Sequence, residues 1–242
     1  MPVRPGYYGA VCGRYASTRS AADLAALFEA VDTTQGVDPR YNLAPTDPAP
    51  VVRMSRRRGA RTLTLGRWGL LPHWARDPRG GAKMINARAE TVATTRAYAA
   101  AFAARRALVP ADGWYEWCRV EGGARQAYFM TPADGSVLAL AGLWSRWGDP
   151  GLVTFSVVTT RATGAPAAVH DRMPLVLAPT DWDRWLTGTH DGDAIALLRP
   201  SEPGLLAGLE IRPVGPAVGN VRNDGPQLVA RVAPAPVADR LW

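Results

Sequence analysis

Residues 107–110 read Ala107-Leu108-Val109-Pro110, a short apolar run closed by the turn pair Asp112-Gly113. The same grammar recurs at Ala127–Thr131, Val137–Leu143, Thr154–Thr160 and Pro174–Leu177, each run bounded by Gly, Pro or Asp. Runs of four to seven residues rich in β-branched and aromatic side chains are read as strands. Upstream, Arg61–Gly69 alternates like a strand, and Ser17–Glu29 is predicted as a helix with Ser20 as its cap and Leu24, Leu27 and Phe28 on one face. Ala89–Ala104 is a second predicted helix, and Thr180–Leu186 and Asp193–Leu198 are short ones. Asp38–Pro50 and Pro213–Leu228, rich in Pro and Asn or Gly, are predicted as ordered loops, the second too long for a mere connection. Many short strands with interspersed helices and no βαβ period predict an α+β fold: one domain with a curved, barrel-like, mostly antiparallel sheet flanked by helices. The domain is expected over residues 12–230, with residues 1–11 as an N-terminal extension.

The chain has 242 residues, 47% hydrophobic and 20% charged, which is enough to bury a sizeable core and excludes bulk disorder. Nothing in it has the length of a membrane-spanning run or the apolar core of a signal peptide, so a cytoplasmic protein is expected. Two Cys and three His are too few for the usual structural zinc sites, so neither metal nor cofactor is expected. The formal charge of +7 comes almost wholly from arginine: Lys83 is the single lysine among 28 basic residues. Coding bias explains much of that, yet an anionic partner fits the balance, and Arg's planar fork suits phosphate bidentately.

Five places pack polar groups into segments that need none: Val11–Tyr15, around Cys12 and Arg14; Arg40–Thr46, with Asn42 and Pro45; Trp68–Trp74 together with Asn86–Thr91; Pro110–Trp117, where Glu116 stands between aromatics; and Val169–Pro174, with His170, Asp171 and Arg172. Each has a plain structural reading: a lone Cys is more often a small buried hydrophobe, and an Asn before a helix more often a cap. A carboxylate among aromatics either pairs with a cation or has its pKa raised by desolvation, the general-acid pattern.

In order along the chain, Cys-Gly-Arg-Tyr, Tyr-Asn-Leu-Ala-Pro-Thr, Trp-Gly-Leu-Leu-Pro-His-Trp, Asn-Ala-Arg-Ala-Glu-Thr, Ala-Asp-Gly-Trp-Tyr-Glu-Trp, His-Asp-Arg-Met-Pro and Val-Gly-Asn-Val-Arg-Asn-Asp resemble the SOS response-associated peptidase (SRAP) family from Cys12 to about Leu228. The resemblance implies a single α+β domain that holds single-stranded DNA in a basic groove and joins an N-terminal cysteine covalently to an abasic sugar as a thiazolidine, in the DNA damage response; a monomer is expected. It implies Cys12 as nucleophile, Glu116 as proton carrier, His170 as the acid that opens the sugar ring, and Asn86 as an orienting group. Arg14, Arg88, Arg96 and Arg172 match its phosphate-binding positions, and Asn42, Pro45 and Trp74 its base-unstacking wedge, while the loop with Asn220 and Asn223 receives no role. Peptidase or lyase-type activity is also implied by the family's name and chemistry.

One departure concerns the amine. A thiazolidine needs a free α-amine on the cysteine, and here eleven residues precede Cys12. A start at Val11 would expose Cys12 after removal of the initiator Met, and this is preferred because Met1–Ala10 shows no structural period; self-cleavage is the other route. Cys118 is read as structural. Two other functions remain: an N-terminal-nucleophile amidohydrolase, in which thiol and α-amine attack an amide, and a noncovalent single-strand binder.

Overall fold

The computed structural model describes residues 12–119, 125–149 and 151–234. Residues 1–11, the extension whose processing the sequence raises, lie outside them. Thirteen strands occur among the described residues: β1 (Tyr15–Ser17), β2 (Val31–Asp32), β3 (Arg40–Leu43), β4 (Pro48–Ser55), β5 (Ala60–Trp68), β6 (Asn86–Arg88), β7 (Arg106–Ala111), β8 (Gly113–Arg119), β9 (Arg125–Pro132), β10 (Leu138–Trp147), β11 (Leu152–Arg161), β12 (Arg172–Pro174) and β13 (Leu209–Val214). Helices α1 (Ala21–Leu27), α2 (Ala99–Ala104), α3 (Trp182–Thr187) and α4 (Pro203–Leu206) are short.

Strands β5, β4, β7, β10 and β11 pair in that order, antiparallel throughout. A parallel contact of β11 with β5, Thr154 opposite Arg67 and Phe155 opposite Trp68, then closes the ring. The predicted α+β domain with a curved sheet is thus a five-stranded barrel, closed and therefore without edges along its wall. Alternation divides its two faces. Val52, Leu63, Leu108, Leu143 and Val158 pack with α1, α2 and α3, so they point outward under the helices. Val51, Trp68, Val109, Leu140, Phe155 and Val157 form the other cluster and fill the barrel. A Cβ on Gly66 would meet Phe155, Val153 and Val51 at 3.1 to 3.4 Å, which shows how tightly that interior is filled.

A second sheet, in the order β13-β9-β8-β1-β3, lays Tyr15, Leu43, Trp114 and Met130 against the barrel interior. Its other face, with Tyr115, Phe129 and Val214, is covered by Val218 and Leu228.

Some expectations fail for identifiable reasons. The Asp38–Pro50 loop contains β3 and the start of β4. Prolines 48 and 50 are tolerated there because β7 joins β4 only at Val52 and Arg53, past both of them. The helix expected over Ala89–Ala104 shrinks to α2. Its first half is turns in which the Thr94 hydroxyl donates to the Thr91 carbonyl, the local side-chain bonding by which threonine competes with a helix. Asn86 and Arg88 accordingly sit on strand β6, not at a helix start. The Pro213–Leu228 loop begins inside β13, a strand that the sequence pattern does not reveal. Ser20 does cap α1, accepting from the Asp23 amide, and Leu24 and Phe28 are buried, but Leu27 is 44% exposed. Among the described residues no helix is long and apolar enough to cross a membrane.

Candidate active site

The site is assembled where the second sheet meets the barrel. On β8 the alternation sends Tyr115 to the outer cluster and Trp114 to the barrel side, so Glu116 faces the barrel side too. There the Glu116 carboxylate accepts a hydrogen bond of 2.7 Å from the backbone N–H of Cys12. Both residues are buried, Cys12 at 0% and Glu116 at 2% exposure, which makes this a desolvated pair. Cys12 also holds φ at +44°, a left-handed conformation that a non-glycine residue adopts only when its surroundings enforce it.

Desolvation governs the proton chemistry. Burial, against the opposing hydrogen bond from Cys12 and with help from the Asp171 charge, pushes the Glu116 carboxyl up to about 8. Burial, reinforced by Glu116, pushes the Cys12 thiol well above its ordinary value, so it is held as the thiol. Tyr15, buried beside them and in edge contact with Trp68 at 5.0 Å, is likewise raised.

Met173 on β12 is buried in the same cluster as Cys12, which brings the adjoining segment 170–172 to the same region. His170 Nδ1 accepts from the Arg172 backbone N–H at 3.0 Å and lies 3.0 Å from Asp171 Oδ1. Those contacts demand opposite protonation of Nδ1. An amide N–H is a fixed donor and the Asp171 side chain is 88% exposed, so the hydrogen bond to Arg172 decides: in the neutral ring Nδ1 is the acceptor and Nε2 carries the proton. Arg172 itself is fastened by a bidentate pair with Glu90, 2.9 Å on each branch, and by a bond to the Thr159 carbonyl. Asn86, opposite Val157 on β11, accepts the Tyr98 hydroxyl at its carbonyl.

The remaining predicted residues separate into two groups. Arg14 and Asn42 look inward: Arg14 donates to Asn42 Oδ1 and the Val218 carbonyl at 2.9 Å each, and Asn42, wholly buried, donates to the carbonyls of Val218, Asn220 and Asn223. Asp224 completes the clasp by accepting from Arg40 and from the Tyr41 amide. The loop that the sequence left without a role is therefore bolted beside the site, and the bolts are residues assigned to DNA contact. Trp74, 47% exposed, and Arg96, exposed, look outward and stack with the guanidinium 5.0 Å from the ring. Arg88 is exposed at the end of β6, and Pro45 lies half-buried in the turn between β3 and β4 beside Thr46, whose φ is +78°. The structure thus joins Cys12 and Glu116 directly, with the His170 segment close by, and spreads Arg88, Arg96 and Trp74 over the surrounding surface.

Comparison with known proteins agrees with this frame. The model of the family described as SOS response associated peptidase (SRAP) matches residues 11–221. The chain belongs to the SRAP family. Abasic site processing protein YedK of Escherichia coli is 34% identical to this SRAP chain over 92% of it and all of the relative. YoqW of Bacillus subtilis, with the same descriptive name, is 31% identical over 79% of this chain and 85% of its own. A crystal structure of a Bacteroides thetaiotaomicron protein shares the fold, with a TM-score of 0.79 and 21% identity over 92% of this SRAP chain and all of the other.

Proposed function

We propose that this SRAP domain binds single-stranded DNA and, once Cys12 is the first residue, captures an abasic sugar as a thiazolidine. The observation that carries the reading is the 2.7 Å contact between the Cys12 nitrogen and the buried Glu116 carboxylate. The names of YedK and YoqW, both abasic site processing proteins, point to the same substrate.

The open form of an abasic sugar carries an aldehyde. With Val11 attached the Cys12 nitrogen is an amide and inert; as an α-amine its ordinary pKa is about 7.7–8.0. Glu116, held up to about 8, is matched to it, so a proton passes between the two at little cost near neutral pH. The amine adds to the aldehyde carbon, and the carbinolamine hydroxyl leaves as water with a proton from Glu116. The Cys12 thiol then adds across the C=N bond, its proton passing to nitrogen, and the five-membered ring closes with net loss of one water. A thiol kept protonated by burial suits this order, amine first and sulfur second. His170 in its imidazolium form, with Nδ1–H toward Asp171, gives its Nε2 proton to the ring oxygen of the closed sugar and is left as the neutral ring. Asn86 orients the sugar. Arg88, Arg96 and Trp74 take phosphates and a flanking base, and Arg14, Asn42 and Arg172 act through the segments they fasten. Autoproteolysis and lyase-type reversal belong to the same reading, since both need a proton carrier at the Cys12 nitrogen.

The test is covalent retention on a denaturing gel of abasic against intact single-stranded DNA, with a chain beginning at Cys12. Retention confined to abasic DNA supports the reading. Release of an acyl product from amide substrates without retention on abasic DNA would favour the amidohydrolase, and binding without covalent retention a plain single-strand binder.

A further inference from the structure

At the hairpin end of the barrel, away from Cys12, a cleft of about 1090 Å³ is lined by Arg53, Arg56, Arg57, Arg58, Arg105 and Arg146, with Trp144 between them and no Asp or Glu among its described lining residues. The arginines come from different elements. Arg53 lies two residues along β4 from Val51 on the barrel-facing side, Arg56–Arg58 form the β4–β5 turn, Arg105 precedes β7, and Arg146 lies near the end of β10. Among the described residues none of these six makes an ion pair. The Nε atoms of Arg53 and Arg105 are buried without a hydrogen-bond partner, a costly state for a cationic donor. Arg53 stacks on Trp144 at 4.6 Å, and burial together with the charge of Arg146 lowers its pKa. Like charges gathered with no counter-charge oppose folding, so the arrangement asks for an anion from outside.

The shape narrows the choice. The volume slightly exceeds the roughly 300–1,000 Å³ typical of small-molecule pockets, and the arginines are spread along walls that also carry Trp144 and Leu186, which fits a chain-like anion better than a compact one. The cleft also runs on: a smaller hollow shares His73, Arg105 and Ser145 with it and adds Trp74 and Arg96. The exposed stacking shelf assigned above to a flanking base therefore adjoins the arginine cleft.

We propose that this cleft is a second subsite, which takes the phosphate backbone of the DNA strand flanking the lesion after it leaves the Trp74–Arg96 shelf. This rests on the single-strand reading above and extends it. The guanidinium groups of Arg53, Arg105 and Arg146 attract phosphates along the cleft, and the Arg56–Arg58 turn gathers the next phosphates along the strand.

The test compares the full chain with R56Q/R57Q/R58Q, exposed turn positions outside the core, and with R146Q on β10, using salt-dependent binding of undamaged oligo-dT of about 5 and about 16 nucleotides. Each phosphate neutralised on a single strand contributes about −0.7 to the slope of log affinity on log salt. The longer DNA is expected to give the steeper slope with the full chain. The triple variant should flatten the long-DNA slope by about 2 and R146Q by about 0.7, with the short-DNA slope unchanged in both. If the short DNA binds and length adds nothing to the slope, the cleft proposal falls and the single-strand reading stands; if neither length binds, both fall. Binding of a polyglutamate peptide that depends on Arg56–Arg58, without any effect of DNA length, would make the cleft a peptide site and overturn the proposal.

Discussion

Glu116→Gln is the perturbation with the most determinate outcome, because the sign and size of its effect follow from one buried carboxyl. In the folded chain Glu116 keeps its proton to about pH 8, whereas the unfolded chain releases it near the ordinary 4.5. Between those values the native state binds one more proton than the unfolded state. Stability therefore falls with rising pH by about 1.4 kcal/mol per pH unit, and the contribution is complete below 4.5 and lost above 8. Across the window the loss amounts to about 4–5 kcal/mol, a large share of the roughly 5–15 kcal/mol that stabilises an ordinary domain. The Gln amide has the same shape, accepts from the Cys12 N–H through its own oxygen, and does not titrate. Urea unfolding of the full chain and of E116Q at intervals from pH 5 to pH 8.5 should show stability falling more steeply with pH when Glu116 is present, the gap between the two proteins widening toward alkaline pH. Parallel profiles would refute the claim that Glu116 is held protonated, and with it the matched proton transfer to the Cys12 amine.

In a chain beginning at Cys12, C12A and C12S should abolish stable covalent retention of abasic DNA while noncovalent affinity is nearly unchanged, as filter binding would show; both keep the α-amine and should still yield a Schiff base that borohydride traps. His170→Ala is expected to slow crosslinking on the order of 10²- to 10⁴-fold without preventing it, and an unchanged rate per folded molecule would leave His170 as a structural residue. Asn42→Ala removes three hydrogen bonds to the 216–225 segment; Val218 and Asn220 keep Arg14 and the Asn223 amide as donors, but the Asn223 carbonyl loses its donor, at about 1–3 kcal/mol if water does not reach it, so a lower urea midpoint and faster proteolysis within that segment should follow. Trp74→Ala, at an exposed ring, should leave the melting temperature in place and weaken single-strand binding by about 1–3 kcal/mol, measured by fluorescence anisotropy.

What the sequence disclosed was governed by range. Short apolar runs between Gly, Pro and Asp betray strands because a strand's pattern is local, so β7, β10 and β11 were readable. Closure of the barrel was not, since the parallel contact of Phe155 with Trp68 joins residues whose local sequences carry no mark of each other. Prolines misled at β4, where their cost depends on which neighbour is present, a property of the sheet and not of the segment. In the site, Glu116 between aromatics announced its desolvation, but the 104-residue separation from its donor Cys12 was invisible. Asn42 and Arg14 were recognisable as special, whereas their bonding to the 216–225 segment appears only in three dimensions. The three consecutive arginines at 56–58 are plain in the sequence; only the fold supplies Arg53, Arg105 and Arg146 to join them.

The clasp that Arg14 and Asn42 make on the 216–225 segment ties the neighbourhood of Cys12 to residues made some two hundred positions later. A nascent chain that has emerged only as far as β11 has every strand of the barrel but nothing over the outer face of the sheet that carries Glu116. Contacts of such long sequence separation form late, because the entropy of closing the intervening loop is spent before they return anything. The corner that holds Cys12 and Glu116 is thus completed last, since a chain ended after β11 lacks both the 216–225 clasp and the segment with His170 and Arg172.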